Sequence, residues 1–359
     1  YSPDNLVNKI LDLIPIYYFK NPNLKWLDIG AGNGAFSLNL YNRLYNDLSN
    51  IIINNDKRKL HIIENMLYMV EIYPDHIETL EQLFTKKANI ITKDYLSFTC
   101  DERFYDFIIG NPPYNINGAL KTPTNNKLKK CDDGKAIYVE FIYKSLELLK
   151  PETGFLNLII PSLWLKPDKA GLYETLTNLK IHKLCCLSTN ETQKLFNYKA
   201  QTPTCFFLIE NIKSNKALNT IPLYNSIHNN YVNYILEPQY PIPTKGISII
   251  NKLMPYVKKV GSLKIYKSMI PGKMTIISSI SSETFKYANV SSCTLENNKP
   301  KLTINYSNIE QNFYNKPKII MAHKMYGFPY LDISGIYGIS ARDNYIILNS
   351  DYSLIELIE

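Results

Sequence analysis

Four consecutive residues, Asn111-Pro112-Pro113-Tyr114, carry the most specific chemistry in the chain. They directly follow Tyr105–Gly110, a run that reads as a strand. Two prolines fix φ and remove two backbone donors, so the turn is stiff and its carbonyls are free to accept. The Asn111 side-chain oxygen and the Pro112 carbonyl can both accept from one planar amine, drawing its nitrogen toward tetrahedral geometry. That geometry frees a lone pair otherwise delocalised into a ring or carbonyl, as nucleophilic attack on a methyl group requires. Tyr114 offers a flat face on which a planar group can stack. No general base is strictly needed, because the proton leaves after the attack.

A second constellation lies upstream, in Asp28-Ile29-Gly30-Ala31-Gly32-Asn33-Gly34. A strand that ends in such a run and opens into a helix makes a ligand-binding turn, because glycine lets the backbone bend sharply and approach a ligand closely. The spacing is neither the dinucleotide G-x-G-x-x-G nor the phosphate loop ending in Gly-Lys-Ser/Thr. A charged ligand without a phosphate fits better, with Asp28 beside a cationic amine. Glu71, followed by Ile72, supplies an acid for ribose hydroxyls at the end of a second strand. Asp94, followed by Tyr95, ends a third strand and can accept from an adenine amino group. Three acids at three consecutive strand ends converge on one sheet edge.

The elements that must position these residues alternate. Leu6, Val7, Ile10, Leu11 and Ile14 recur at helical spacing, with Ser2 expected as N-cap and Pro3 as the first helical residue. Strands are predicted at 24–29, up to Val70-Glu71, and at 89–92, 105–110, 155–160, 180–187 and 204–210. Helices are predicted from the glycine turn to Leu48, from Pro74 to about Lys86, and over 136–149. This pattern implies an α/β fold, a mostly parallel, doubly wound Rossmann-like sheet. From about Pro222 the rhythm breaks into Pro-rich connections and short β-like runs such as 319–322 and 345–348. A second, mixed C-terminal domain is expected, with the boundary at 215/216. Residues 50–66 read as a structural insertion.

The 359 residues carry 40 Lys plus Arg against 32 Asp plus Glu, a net charge of +8, with 45% apolar residues. A packed core is expected and wholesale disorder excluded. The chain lacks an apolar run of membrane-spanning length and a signal-like N-terminus. The charge is unevenly spread. Residues 1–215 hold 25 basic and 23 acidic side chains, whereas 245–324 hold 13 Lys against Glu283, Glu296 and Glu310 alone. An AT-rich genome accounts for Lys over Arg, but not for the loss of acids from one stretch. Lys258, Lys259, Lys264 and Lys267 in that stretch, and Lys121, Lys127, Lys129, Lys130 and Lys135 in the loop at 115–135, are candidates for contact with a polyanion, the alternative for the stretch being a solvated face. Six cysteines without a CxxC pair and five scattered histidines encode neither a disulfide framework nor a metal site, and a reducing intracellular compartment is expected.

With these motifs in place, the chain resembles S-adenosylmethionine-dependent amino-methyltransferases, most closely N6-adenine DNA methyltransferases of the gamma arrangement. In that arrangement the cofactor motifs precede the catalytic motif and the target recognition domain comes last. The resemblance covers about residues 1–211. It implies a catalytic methyltransferase domain at 1–215, a DNA recognition domain at 216–359, and S-adenosyl-L-methionine as cofactor. Tyr1, Ser2 and Pro3 correspond to the family's cofactor element, with Ser where Thr is usual. The same comparison brings in Gly154–Pro161 and a hairpin region around Leu195-Phe196 and Pro203–Phe206, making Phe196 a candidate second aromatic face or a core residue. The long basic loop resembles those of large-DNA-virus methyltransferases.

The resemblance further implies double-stranded DNA as substrate, base flipping of the target adenine, and a restriction-modification setting with a cognate endonuclease as partner. Three alternatives stay open. Asn-Pro-Pro-Tyr enzymes also methylate RNA bases or the glutamine of release factors, and a nucleic-acid-binding module can keep the fold without the catalysis. The short N-terminus and the roughly 140 residues after the catalytic part favour a large substrate read by a C-terminal domain. The intact motifs disfavour a silent module.

Overall fold

The computed structural model describes residues 2–100, 103–115, 136–167, 171–214, 220–237, 240–261, 263–297, 299–322, 329–342, 344–351 and 353. They form two compact units, residues 1–253 and 254–359. None of the described helices is long and apolar enough to cross a membrane.

The first unit opens with α1 (Asp4–Leu11) and α2 (Ile16–Phe19), then β1 (Trp26–Ile29) and α3 (Ala35–Asp47). The 50–66 insertion is α4 (Asn55–His61) running into a π-helical turn, Ile62–Met66. Its anchor is the buried Arg58, which donates to Ile52 O and lies 4.2 Å from the Tyr45 ring centroid. Next come β2 (Leu67–Val70), α5 (Pro74–Phe84), β3 (Asn89–Ile91), β4 (Phe107–Gly110), α6 (Tyr138–Leu148) and β5 (Phe155–Pro161). The unit continues through α7 (Leu172–Thr177), β6 (Leu179–Cys186), α8 (Thr189–Leu195), β7 (Thr204–Lys213), β8 (Thr220–Asn225) and β9 (Asn230–Ile235).

Nine strands make one sheet in the order β3-β2-β1-β4-β5-β7-β6-β8-β9. The first five run parallel, as the βα alternation predicts, and β7 is antiparallel to both β5 and β6. Chain order reverses between β1 and β4, so the turns that follow these two strands lie side by side at the switch point. Register there is held by rings: Trp26 stacks on Phe107 at 4.0 Å and Phe107 on Phe155 at 5.0 Å, and these residues are paired across β1, β4 and β5. Each fully buried large side chain of this kind contributes about 1.5–3 kcal/mol.

Two sequence expectations shift. Helix α1 begins at Asp4 with Pro3 in the N-cap position and no side-chain cap. Pro3 O accepts from Leu6 N and Val7 N, and the Ser2 hydroxyl is occupied elsewhere. The compact units divide at 253/254 rather than 215/216. β8 joins β6 through Leu184 and Leu223, and β9 pairs along the length of β8, so both strands belong to the first unit's sheet. The 253/254 division falls inside α9 (Ile247–Val260).

The second unit contains β10 (Tyr266–Lys267), β11 (Ile277–Ser278), β12 (Tyr287–Glu296), β13 (Lys299–Ser307), β14 (Lys318–Ala322), β15 (Tyr330–Asp332), β16 (Gly338–Ile339) and β17 (Asn344–Leu348). They form two four-stranded sheets, β10-β17-β14-β15 and β11-β13-β12-β16. Val290, Ile320, Ile339, Ile346 and Leu348 form their shared apolar core.

Candidate active site at the switch point

The glycine turn leaves β1 with Gly30, Gly32 and Gly34 all at positive φ (75°, 55° and 83°), backbone that only glycine adopts without strain. A Cβ placed on Gly30 or Gly32 would meet nothing within 4 Å, so this part of the turn faces open space. A Cβ on Gly34 would press on Leu80 and Leu83 of α5, which marks that glycine as a packing residue. Gly30 N and Ala31 N both donate to Val70 O, tying the turn to the end of β2.

Glu71 joins the two strand ends. Its Oε2 accepts from Gly32 N at 2.7 Å, and its Oε1 accepts from Ile72 N at 2.8 Å and Tyr73 N at 2.9 Å. The carboxylate is buried, with His76 Nδ1 3.6 Å from Oε2. Ile72 itself projects an exposed side chain beside it.

Asp28, the last residue but one of β1, is buried and accepts from the Ser37 hydroxyl at 2.6 Å. Burial is the largest influence on its carboxyl and pushes the pKa up to about 7, against the opposing hydrogen bonds from Ser37. Glu71 adds to the rise through its own charge. Such a carboxyl gains most from a cation brought next to it. Its Oδ1 sits where a Cβ of Gly110 would come within 3.0 Å, so Asp28 lies directly under the residue that precedes Asn111.

Asn111 lies at the end of β4. Its Nδ2 donates to the Ser2 hydroxyl at 3.1 Å, while its Oδ1 is buried and accepts from no described residue. An orphaned buried acceptor costs about 1–3 kcal/mol, a cost that a donor from outside the protein would relieve. A cavity of about 380 Å³ opens here, lined by Asn111, Pro112, Pro113, Tyr114 and Phe196, with Lys199 among its other walls. Its volume suits a small planar ligand. The Tyr114 hydroxyl is buried without a partner among the described residues, and burial raises its pKa.

Phe196 is brought to this cavity by a well-specified local structure. Helix α8 starts with a capping box between Ser188 and Glu191. Its inner face is pinned by the Thr192 and Thr204 hydroxyls, 3.0 Å apart. After Phe196 the chain turns through Asn197 and Tyr198, both at positive φ (49° and 61°), with Tyr198 N donating to Gln193 O at 2.7 Å. Non-glycine residues held in this region mark an over-determined turn.

The remaining candidates are placed differently. Asp94 is exposed, and its Oδ1 accepts from Leu96 N at 3.1 Å, closing its own turn after β3. Tyr95 points into the core, with its hydroxyl 2.8 Å from Ser145 Oγ and its ring on Phe141, so its side chain does not line the edge. Lys258 and Lys259 lie in the last turn of α9, Lys264 pairs with Asp351 at 3.1 Å, and Lys267 is in β10. Tyr1 and Lys121, Lys127, Lys129, Lys130 and Lys135 lie outside the described residues. Sequence reasoning missed Ser37 and Gly110, because a lone Ser in a helix or a Gly ending a strand carries no motif.

The residues fit a nucleoside bearing a cationic amino acid. Asp28 and Glu71 supply buried carboxylates, Gly30 and Gly32 an open backbone, and Ile72 an exposed apolar face. Residues 34–196 match the family model described as Eco57I restriction-modification methylase. An uncharacterized adenine-specific methylase from Mycoplasma pneumoniae is 22% identical over 302 residues, covering 61% of this chain and 68% of that protein. The modification methylase CviBIII of Paramecium bursaria Chlorella virus NC1A is 31% identical over 124 residues, 34% of this chain and 30% of that protein. A solved type I restriction-modification methyltransferase subunit from Streptococcus thermophilus aligns with a TM-score of 0.43 at 12% identity, over 74% of this chain and 53% of that one. The chain spans 5% to 68% of the length of the curated relatives it matches. It therefore resembles the adenine-specific methylases of restriction-modification systems, and residues 34–196 are its segment similar to the Eco57I family.

Proposed function

We propose that the chain methylates N6 of adenine in double-stranded DNA, with S-adenosyl-L-methionine as the source of an electrophilic methyl group. The observation that carries this reading is the orphaned Asn111 Oδ1 beside a cavity walled by Pro112, Tyr114 and Phe196. Ser2 occupies the donor end of the Asn111 amide, so the end left over is an acceptor, as an exocyclic amine requires. Oδ1 and the Pro112 carbonyl hold the two amine hydrogens and turn the nitrogen lone pair out of the ring. Tyr114 and Phe196 hold the base between them. The base must leave the duplex to reach them, because N6 is inaccessible in the stack.

Asp28 and Glu71 hold the amino-acid and ribose ends of the cofactor, with Ile72 against its adenine. Within the second unit, residues 254–324 hold 11 Lys against Glu283, Glu296 and Glu310 alone, which supports a unit that neutralises phosphates and reads the target. The name adenine-specific methylase supports adenine as the methylated base, and the restriction-modification family matched over residues 34–196 supports a cognate restriction endonuclease as partner.

The test is transfer of label from radioactive S-adenosyl-L-methionine to unmethylated duplex DNA, followed by digestion to identify N6-methyladenine. Asn111→Ala is expected to abolish transfer while cofactor binding persists. Label appearing only in RNA or in a release factor sinks the DNA reading, and transfer to none of them points to a binding module.

A further inference from the structure

The second unit carries a loop that neither the site nor the charge count explains. Residues Met269-Ile270-Pro271-Gly272-Lys273-Met274 put three large apolar side chains into solvent: Met269, Ile270 and Met274 are 68%, 65% and 82% exposed. Soluble surfaces rarely gather such residues without a partner for them.

Both feet of the loop are fixed. At one end the buried Ser268 donates from its hydroxyl to Ala341 O at 2.7 Å and accepts from Asn344 N at 2.9 Å, while its own N donates to Asn344 O. At the other, Asn308 accepts from Ile276 N at 2.8 Å and donates to Met274 O at 3.4 Å, and Gln311 donates to the Thr275 hydroxyl at 3.3 Å. A turn from Thr275 N to Gly272 O closes the tip. The exposed apolar tip is thus a held shape, with its ordering cost already met in the fold.

We propose that this loop is an apolar wedge that enters duplex DNA, with Met269, Ile270 and Met274 pressed into the groove or between base steps. The inference rests on the reading of the chain as a DNA methyltransferase. Charge selects the occupant. From Leu263 to Ser282 there are three lysines, Lys264, Lys267 and Lys273, and no acid; Lys264 pairs with Asp351 at 3.1 Å, and the exposed Lys273 stands at the tip beside Met274. Apolar side chains flanked by cations match the base stack flanked by phosphates, and apolar wedges in DNA-bending proteins kink the duplex in this way. A neutral or basic protein surface would find no complement in those lysines.

The experiment uses the full chain and a duplex oligonucleotide carrying the methylated site found by sequencing, with 2-aminopurine substituted in turn at each position around it. The wild-type chain is expected to raise fluorescence at one step besides the target base. The triple variant Met269→Ser/Ile270→Ser/Met274→Ser is expected to lose that second signal and to bind DNA about 10- to 100-fold more weakly with an unchanged salt dependence. Lys273→Gln is expected to keep the signal and lower the salt slope by about one. Thermal unfolding of the triple variant checks that the solvent-facing changes leave the fold intact. Wild-type fluorescence and affinity in the triple variant overturn the wedge while leaving the methyltransferase reading standing. A wild-type chain that binds and methylates no DNA overturns both.

Discussion

The Asn111 amide donates from Nδ2 to the Ser2 hydroxyl at 3.1 Å, joining residues 109 positions apart. This bond fixes which end of the amide faces outward, and so decides whether the site accepts or donates. Ser2→Ala is expected to let the amide rotate and to lower the single-turnover methyl-transfer rate about tenfold, the equivalent of one ordinary hydrogen bond. Ser2→Thr keeps a hydroxyl and is expected to restore the rate. Equal loss in both variants would mean that Ser2 acts only as packing.

Gly110 couples the two motifs by contact. Its φ of 136° is closed to other residues, and a Cβ there would come within 3.0 Å of Asp28 Oδ1 and 3.2 Å of Ile29 O. Gly110→Ala is therefore expected to destabilise the chain by about 1–3 kcal/mol and to displace the Asp28 carboxyl. Denaturant unfolding reads the first effect and a cofactor titration the second. A variant with normal stability but weakened cofactor binding would mean that the strain is absorbed by the carboxyl alone.

The two motifs were legible because each is written in adjacent residues whose backbone preferences need no tertiary help: glycines at positive φ and a Pro-Pro turn at a strand end. The pairs that tune them were not, since Ser37 with Asp28 and Ser2 with Asn111 meet only once the sheet is built. Tyr95 shows the opposite limit. It is the neighbour of Asp94 in sequence, yet its side chain turns into the core against Phe141. The 215/216 boundary followed a change in composition, but hydrogen bonding does not track composition, and β8 with β9 continued the sheet past it.

At the proposed cofactor site, Asp28 is expected to confer a pH dependence. In the free protein its pKa is about 7, raised by burial, so below pH 7 the carboxyl is largely protonated. A cationic ligand group selects the carboxylate, and binding below pH 7 must release a proton. Affinity for S-adenosyl-L-methionine is expected to be flat above pH 7 and to fall below it with a slope approaching tenfold per pH unit. The sign for stability is the reverse. A carboxyl whose folded pKa lies above its unfolded value stabilises the fold most at low pH, and that contribution is lost as pH rises through 7. Asp28→Asn is therefore expected to gain thermal stability relative to wild type between pH 5 and pH 8 while losing cofactor affinity. Calorimetric titration in two buffers counts the released proton, and none released at pH 6 would refute the coupling.

Lys318 and Asp332 form a fully buried ion pair in the second unit, Nζ to Oδ2 at 2.6 Å. Lys318 also donates to Lys316 O at 3.0 Å, and Asp332 accepts from Ile336 N and Tyr337 N, so the pair pins the turn after β15 to β14. Removing one partner strands a charge in the interior and costs about 3–5 kcal/mol, more than the pair itself contributes against an apolar replacement. Lys318→Met is expected to abolish the hydrogen-exchange protection of the β14 and β15 amides. Adding Asp332→Asn removes the stranded charge while leaving an acceptor for one of the turn amides, and part of the protection is expected to return. Wild-type protection in Lys318→Met would mean that water reaches Asp332 and that the burial seen here is not what fixes the turn.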